Sequence, residues 1–324
     1  MARKALGPAT KRLVDEVMVG VEPVESWVVG CSGGPDSLAL AVTAAHAGDV
    51  LQTPVSVVVV DHGLQSGSAA VAAGVVDQLA RYDLAAEVVR VTVTGPGGPE
   101  AAARRARRAA LIEAAGLAGL VLLGHTMDDQ AEQVLLGLAR GSGARSLSGM
   151  SDHGNIRRPF LGVRRAVTER ACAELGLTPW HDPHNADEGF ARVRARRVVL
   201  PTMERELGPG ITEALARTAD LLRDDADALD ELAAGLIDVA RTRVAVAELR
   251  PHPAAIRRRV LKAWLLRHGA QNLSATHLLA ADDLVTRRHG FGELQAPAGV
   301  RLTRRQGWVE VAAGTGPAER VSSN

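Results

Sequence analysis

The segment that most constrains the fold is residues 31–37, which read Cys-Ser-Gly-Gly-Pro-Asp-Ser. It lies directly after the apolar run Trp27-Val28-Val29 and directly before a longer apolar run that begins at Leu38. This order predicts a buried strand that turns sharply into a helix. Such a turn points backbone N–H groups and the positive end of a helix dipole at one spot, and that arrangement favours an anion. The segment is therefore predicted to be a phosphate-binding loop.

The residue types inside this loop fit phosphate binding. Gly33 and Gly34 let the backbone approach a phosphate closely, while Ser32 and Ser37 can add hydroxyl donors. Asp36 is the exception, because a carboxylate beside phosphates is tolerable mainly when it holds a divalent cation. The spacing fits neither the Gly-x-x-x-x-Gly-Lys nor the Gly-x-Gly-x-x-Gly motif. A Gly-Pro turn capped by serines is the alternative that needs no ligand.

The N-terminal part of the chain alternates between strand-like and helix-like patterns. Short apolar runs rich in β-branched residues, typical of strands buried on both sides, occur at 28–29, 55–60, 86–93 and 119–124. Helical patterns separate these runs, so a parallel, doubly wound α/β sheet is predicted. Ligands of such sheets bind beyond the carboxyl ends of the strands. Three candidate segments are expected to meet there, at residues 30–37, 61–64 and 124–129.

A domain boundary is predicted where Pro201 and the Gly208-Pro209-Gly210 cluster interrupt the pattern. An amphipathic helical pattern follows, from about residue 211 to 243. Two further helical patterns, the second capped by Ser274, precede short strands. The prediction is an α/β domain at 1–210, a linker helix at 211–245, a small, mostly helical C-terminal domain with short strands at 246–316, and a tail at 317–324.

Composition and charge disfavour several classes of protein. The 324 residues carry a formal net charge of +1, so a globally basic nucleic-acid binder is not indicated. The two cysteines, Cys31 and Cys172, form no disulfide or metal pattern, which disfavours thiol-pair and iron–sulfur chemistry. No apolar stretch reaches membrane-spanning length and no signal-peptide core is present, so a cytoplasmic location without membrane contact is predicted. Arginines cluster, which suits phosphate oxygens, with coding bias as the alternative; the clusters lie at 104–108, 157–158, 164–165 and 192–197.

Residues 124–139 form the second candidate motif. Their pattern predicts a helix with Asp128 as its cap. Asp128 and Glu132 are spaced i, i+4, so their carboxylates are expected on one face of the first turn, whereas Asp129 is expected to point elsewhere. Two carboxylates above a nucleotide site can hold Mg²⁺ or capture an amine. Acidic residues also favour helix N-termini without any ligand, and that alternative stays open.

Two shorter patterns complete the candidate set. Asp61 and His62 end the second strand, where they can contact adenine, ribose or a metal, although both are also common turn residues. Arg104 and Arg107 lie on a helical pattern and can face one groove. A solvated, salt-bridged helix face is the alternative for these arginines.

The order of the motifs resembles that of bacterial tRNA(Ile)-lysidine synthases, a family of the PP-loop ATP-pyrophosphatase superfamily. The phosphate loop alone marks only the superfamily, whereas the block from Gly124 to Met150 and the block from Asp182 to Pro201 narrow the resemblance to the family. The motifs that carry it are Ser32-Gly33-Gly34-Pro35-Asp36-Ser37, Asp61-His62-Gly63-Leu64, Glu100-x-x-Ala103-Arg104-x-x-Arg107, Gly124-His125-x-x-Asp128-Asp129-Gln130-Ala131-Glu132, Arg140-Gly141-Ser142-Gly143, Leu147-x-Gly149-Met150, Arg158-Pro159-Phe160-Leu161, Trp180-x-Asp182-x-x-Asn185 and Arg192-x-x-x-Arg196.

The resemblance implies a two-step reaction on tRNA. ATP adenylates the C2 carbonyl oxygen of the wobble cytidine in an isoleucine tRNA with a CAU anticodon, and pyrophosphate leaves. The side-chain amine of free L-lysine then displaces AMP and gives lysidine. The implied cofactors are ATP and Mg²⁺, the implied partners are the tRNA and lysine, and the family suggests a homodimer.

The resemblance also implies functional residues at matching positions. The implied catalytic residues are Asp36, which would hold Mg²⁺, and His125, Asp128 and Glu132. The implied nucleotide-binding residues are Ser32, Gly33, Gly34, Pro35, Asp36, Ser37, Asp61, His62, Gly124 and His125. The implied tRNA contacts are Arg104, Arg107, Arg192 and Arg196. The chain departs from the usual family pattern at Thr126, Gln133, Arg108 and Val193.

Two other functions remain open from the sequence. One is a different adenylating enzyme of the same superfamily, either an amidotransferase or a tRNA thiolase, although such thiolases generally use cysteine pairs. The other is a nucleotide-binding module without catalysis. Such a module has no evident need for the acidic helix start at 128–132 or the arginines at 192–197.

Overall fold

The computed structural model of the chain describes residues 6–63, 67–94, 98–141, 143–152, 154–287 and 292–312. Leu64, Ser142 and the predicted tail at 317–324 lie outside these residues. The chain divides into two compact units, formed by Met1–Arg140 with Leu147–Asp220 and by Gly141–Ser146 with Leu221–Asn324. The four-part domain scheme taken from the sequence stays a prediction.

The N-terminal unit contains a parallel five-stranded sheet, as predicted, in the order β3-β2-β1-β4-β5. Its chain direction reverses between β1 and β4, which lie side by side, and this is where ligands of doubly wound sheets bind. The strands are β1 (Trp27–Gly30), β2 (Val55–Asp61), β3 (Ala86–Arg90), β4 (Leu120–Leu123) and β5 (Ile156–Arg157).

Helices cover both faces of this sheet because strand side chains alternate between the two faces. Trp27 and Val29 of β1 join the larger core cluster, whereas Val28 joins a smaller cluster on the other face, which includes Leu111. The helices of the unit are α1 (Pro8–Gly20), α2 (Pro35–Leu51), α3 (Ser68–Ala80), α4 (Gly98–Ala115), α5 (Met127–Ala139), α7 (Arg165–Leu175), α8 (Ala191–Arg194) and α9 (Leu200–Leu207); α6 (Ala144–Leu147) lies at the division, and α10 (Ile211–Ala233) follows α9.

Helix α7 and strand β5 are elements for which the sequence gave no clear signal. The buried face of α7 consists of Val167, Thr168, Ala171 and Cys172, which are mostly small residues. Small side chains produce only a weak hydrophobic period, so the helix is difficult to recognise from its pattern. It nevertheless contributes to the larger core and begins at Arg165, a residue that proves central to the site.

The C-terminal unit contains an antiparallel sheet in the order β6-β9-β8-β7, formed by β6 (Arg243–Ala245), β7 (Gly292–Gln295), β8 (Arg301–Arg305) and β9 (Trp308–Ala312). The predicted helix at 211–243 is too long, because α10 ends at Ala233 and Gly235 then adopts a positive φ of 77°. Helices α11 (Val246–Leu249), α12 (Ala254–Arg267) and α13 (Ala275–Thr286) complete the unit. Ser274 caps α13, as predicted. In the part of the chain that the structure describes, no helix is long and apolar enough to cross a bilayer.

Candidate functional site

The phosphate-binding loop connects β1 to α2, as predicted. Gly34 is the N-cap of α2 and offers no side chain to the first turn, and Pro35 follows without an N–H group. Asp36 and Ser37 therefore carry the first backbone N–H groups of the helix, which have no intrahelical acceptor. Pro35 fixes the shape of the loop rather than donating a hydrogen bond. The end of α2 is thus open to an anion.

Two residues hold this loop in shape. Gly33 adopts a φ of +84°, and a Cβ there would lie 2.7 Å from Val75 Cγ2, so only glycine fits. Ser37 Oγ accepts a hydrogen bond from Ser32 N at 3.1 Å and donates to Gly34 O at 3.1 Å. The Ser37 hydroxyl therefore closes the loop, and its predicted contact with phosphate would be an additional task.

Gly124, at the end of β4, lies directly against the loop. A Cβ on Gly124 would lie 2.8 Å from Asp36 O and 3.1 Å from Ser37 N. The absence of a side chain therefore allows the segment after β4 to approach the first turn of α2. The predicted meeting of these two segments at one edge of the sheet is confirmed.

The end of β2 supplies two residues with different environments. Asp61 is buried, and hydrogen bonding from the Gly63 backbone N–H, above all, lowers the pKa of its carboxyl group. This carboxylate is largely used in shaping its own turn. His62 is different, because its Nδ1 is buried and has no hydrogen-bond partner among the described residues. Of the pair, His62 is the one open to a ligand.

His125 lies in a similar but more basic environment. Its Nδ1 is also buried without a partner in the described part of the chain. Burial lowers the pKa of His125 to about 4; Asp129 opposes that change, whereas Arg158, Arg107 and Arg104 add to it. His125 is therefore neutral near pH 7, with a ring nitrogen free to bond a ligand. Burial also lowers the pKa of Arg107, so this group of cations is electrostatically strained and suits an anionic ligand.

The start of α5 differs from the prediction. Thr126, rather than Asp128, is the N-cap, and Asp129 Oδ2 accepts hydrogen bonds from Thr126 N at 2.8 Å and from Thr126 Oγ1 at 2.9 Å. Asp128 instead accepts a hydrogen bond from Arg165 N at 2.8 Å and pairs with Arg164 at 3.3 Å. The carboxylate of Asp128 thus fixes the N-terminus of α7. This arrangement makes Asp128 an anchor for the neighbouring helix.

The expectation that Asp129 points away from Glu132 is wrong. Asp129 Oδ1 lies 2.8 Å from Arg165 Nη2 and 3.3 Å from Arg196 Nη2, and both arginines also contact Glu132. A spacing of i, i+3 places two side chains on one helix face as effectively as i, i+4 does. Asp129 and Glu132 therefore form the carboxylate pair that the sequence analysis assigned to Asp128 and Glu132.

Glu132 is completely buried and is surrounded by arginines. Arg196 Nε lies 2.5 Å from Oε1 and Arg196 Nη2 lies 3.1 Å from Oε2, while Arg192 Nε is 3.9 Å from Oε2. Arg192 also donates to Gln133 Oε1 at 2.8 Å. A π-helical turn at Ala195–Val199 carries Arg196, directly before Pro201 removes a backbone donor from the helix. The two arginines expected to contact tRNA thus have carboxylate or amide partners within the protein.

Asp36 joins the same group through Arg165, a residue for which the sequence analysis predicted no role. Arg165 Nε lies 3.2 Å from Asp36 Oδ2, and the Thr168 hydroxyl donates to Asp36 Oδ1. Burial raises the pKa of Asp36, and Arg165 opposes that change. The signal available in the sequence was the Arg164-Arg165 pair, which the weak pattern of α7 left without a structural context. We call this group the carboxylate–arginine cluster; its members are Asp36, Asp129, Glu132, Arg165, Arg192 and Arg196.

A cavity of about 130 Å³ adjoins the cluster. Glu132, Arg165 and Arg196 line it from the cluster, and the remaining lining residues are Asp128, Arg164, Leu200, Pro201, Glu204 and Thr212. The edge of the sheet therefore combines an open helix N-terminus, two histidines with unpartnered nitrogens and a buried carboxylate pair beside a cavity. This combination can bind an anion and a cation next to each other.

Comparisons with known proteins agree with this geometry. Residues 8–203 match the model of the PP-loop domain, and residues 245–309 match that of the TilS substrate binding domain. A tRNA(Ile)-lysidine synthase of Mycolicibacterium paratuberculosis is 55% identical over 83% of this chain and 83% of that protein. The corresponding protein of Leifsonia xyli subsp. xyli is 48% identical over 86% of this chain and 87% of that protein.

A solved structure supports the fold independently. The U34-tRNA thiolase of Methanococcus maripaludis, which contains a [4Fe-4S] cluster, matches 66% of this chain and 78% of its own with a TM-score of 0.54. At 17% identity this likeness concerns the fold alone. The extent of identity with the curated relatives is decisive for the family: the chain belongs to the tRNA(Ile)-lysidine synthases.

Proposed function

We propose that this protein ligates L-lysine to C2 of the wobble cytidine in tRNA(Ile) with a CAU anticodon. The cytidine O2 attacks the α-phosphorus of ATP and pyrophosphate leaves; the lysine side-chain amine then attacks C2, loses a proton, and AMP leaves. The observation that carries the proposal is the juxtaposition of the phosphate-binding loop and a buried carboxylate pair through Arg165, in a chain of this family.

The loop side of the site suits the nucleotide. The N–H groups of Asp36 and Ser37 face an anion without a competing side-chain cap, and they would hold the departing pyrophosphate. Asp36 would hold Mg²⁺, since this ion typically takes one or two carboxylates together with substrate phosphates. The described residues contain no group of three or more His, Cys, Asp or Glu that could hold a metal, which fits an ion held largely by the nucleotide. When bound, Mg²⁺ would neutralise developing phosphate charge.

The cluster side suits the amine. Arginine neighbours favour the ionised form of Asp129, so this carboxylate can hold an ammonium group. Glu132 lies on the same helix face and borders the cavity, where a carboxylate can accept the proton that the attacking amine loses. Neutral His125 would bond the nucleotide or the adenylated base through its unpartnered nitrogen.

The basic residues around His125 suit the tRNA. Arg104 and Arg107 lie close enough to affect the charge of His125, and a phosphodiester or the adenylate would relieve their mutual repulsion. The C-terminal unit, which matches the substrate binding domain, would contact another part of the tRNA. A homodimer and a cytoplasmic location remain predictions, to be tested by light scattering and by cell fractionation.

Incorporation of labelled lysine tests the proposal. Purified protein, ATP, Mg²⁺ and radiolabelled L-lysine are incubated with a tRNA(Ile) transcript that carries a CAU anticodon. The matched control is the same transcript with uridine at the wobble position. Label is expected in the CAU transcript alone. Nucleotide binding without turnover, or sulfur incorporation in place of lysine, would contradict the proposal.

A further inference from the structure

Arg165 contacts every carboxylate of the carboxylate–arginine cluster with a different nitrogen. Nε lies 3.2 Å from Asp36 Oδ2, Nη2 lies 2.8 Å from Asp129 Oδ1, and Nη1 lies 3.5 Å from Glu132 Oε1. A guanidinium binds a carboxylate most strongly when two nitrogens face the two oxygens of one group. Arg165 makes no such paired contact in the cluster, so its hold on each single carboxylate is comparatively weak.

Each carboxylate also has another donor that would remain if Arg165 moved. Asp129 Oδ2 is held by the backbone N and the hydroxyl of Thr126, and Glu132 receives two nitrogens of Arg196. Asp36 accepts the hydroxyl of Thr168. Withdrawal of Arg165 therefore leaves no carboxylate of the cluster without a hydrogen bond, and the usual cost of stripping a buried charge is reduced.

The charge of the cluster indicates which cation has to move. The guanidinium groups of Arg165, Arg192 and Arg196 formally balance the carboxylates of the cluster. An incoming ammonium group thus finds no uncompensated carboxylate unless an arginine withdraws. Arg196 has the short two-nitrogen contact with Glu132, and Arg192 is fixed by Gln133. Arg165 is the cation with the weakest individual contacts, and it borders the cavity from which the amine can enter.

We propose that Arg165 is a place-holder cation: in the ligand-free protein it occupies the position at Asp129 and Glu132 that the ammonium group of the substrate takes in the productive complex. This inference rests on the proposed function and extends it to the order of events. Free lysine binds weakly while Arg165 is in place, because binding must displace a resident cation.

Equilibrium dialysis of radiolabelled L-lysine without nucleotide tests the inference. The wild type is compared with Arg165→Gln, which removes the cation, and with Arg165→Lys, which keeps it. Arg170→Gln is the matched control, because Arg170 is an exposed arginine of the same helix. If the guanidinium occupies the site about nine tenths of the time, Arg165→Gln gains about tenfold in lysine affinity. Arg165→Lys and Arg170→Gln stay near the wild type.

A second readout needs no neutral variant. In wild-type protein labelled with ¹⁵N-arginine, the Arg165 Nε resonance, assigned by its loss in Arg165→Lys, is expected to shift when lysine is added to saturation. An unchanged resonance, or an Arg165→Gln protein that binds lysine no more tightly than the wild type, overturns the inference. If the wild type incorporates lysine into tRNA while these results appear, the proposed function stands and only the inference fails. A wild type without incorporation overturns the proposed function itself.

Discussion

Both units bury an arginine against a carboxylate, but they build the contact differently. In the C-terminal unit, Arg257 faces Asp282 with Nε at 2.6 Å and Nη2 at 3.1 Å, and its Nη1 donates to His252 O at 2.5 Å. In the N-terminal unit, Arg165 divides its nitrogens among several carboxylates, and Glu132 is shared among several arginines.

The difference separates a structural contact from a reactive one. A buried pair with its hydrogen bonds completed has nothing left to offer a ligand, and breaking it costs about 3–5 kcal/mol of stability. A cluster with shared partners can exchange one of them for a substrate group. The unpartnered nitrogens of His62 and His125 lie in the unit that holds the shared cluster. We therefore expect substitutions in the cluster to affect activity most, and substitutions in the Arg257–Asp282 pair to affect stability most.

The largest expected effect concerns the two neighbouring aspartates at the start of α5. Asp129→Asn should lower the turnover of lysine incorporation by about 10²–10³-fold, because a charged group of the reacting centre is lost. Asp128→Asn, which disturbs only the anchor of α7, should lower it by about tenfold through misplacement. Single-turnover assays with saturating lysine measure both.

Each of these variants controls for the other, since they differ by one position on one helix. Circular dichroism must show that both remain folded. A larger loss in Asp128→Asn than in Asp129→Asn would restore the roles expected from the i, i+4 spacing and would contradict the structural reassignment.

The next effect concerns the completed pair of the C-terminal unit. Asp282→Asn leaves a buried guanidinium without its counter-charge and should lower the free energy of unfolding of that unit by about 3 kcal/mol. Asp283→Asn is the control, because Asp283 makes an exposed i, i+4 pair with Arg287 that is worth about 0.5 kcal/mol or less. Urea denaturation measures both, and equal losses would show that the buried pair has no special weight.

The smallest expected effect is a pH dependence caused by His125. Its pKa of about 4 lies below the value near 6.5 of an unfolded chain, so the unfolded state binds the extra proton between these values. The free energy of unfolding should therefore fall as the pH falls from 6.5 towards 4, by roughly 1–3 kcal/mol. His125→Gln should remove this dependence, whereas His181→Gln, at an exposed position, should keep it. An NMR titration that gives His125 a pKa near 6.5 would contradict the assignment.

The sequence was sufficient for the sheet and for the loops at its edge because both depend on local patterns. Buried parallel strands appear as continuous apolar runs, and Gly33 and Gly34 mark a strand-to-helix turn at which a side chain would interfere. The strand order then places the loops after β1 and β4 together, as the doubly wound class requires.

The carboxylate–arginine cluster could not be predicted because its contacts join distant segments. Arg165 meets Asp36 across 129 positions and Asp129 across 36 positions of the chain. Periodicity places residues on a helix face but does not say which other helix that face meets. The choice between Asp128 and Asp129 depended on the N-cap, and Thr126 moved the helix start away from the expected residue.

The most direct test of a site with a nucleotide side and an amine side is ATP–pyrophosphate exchange with and without the CAU transcript and lysine. The account predicts exchange that requires the transcript but not lysine, because the base is adenylated before the amine is used. Asp36→Asn should abolish exchange, whereas Glu132→Gln should retain exchange and lose lysine incorporation. Exchange that requires lysine and proceeds without tRNA would contradict the account, because the amino acid would then be the adenylated substrate.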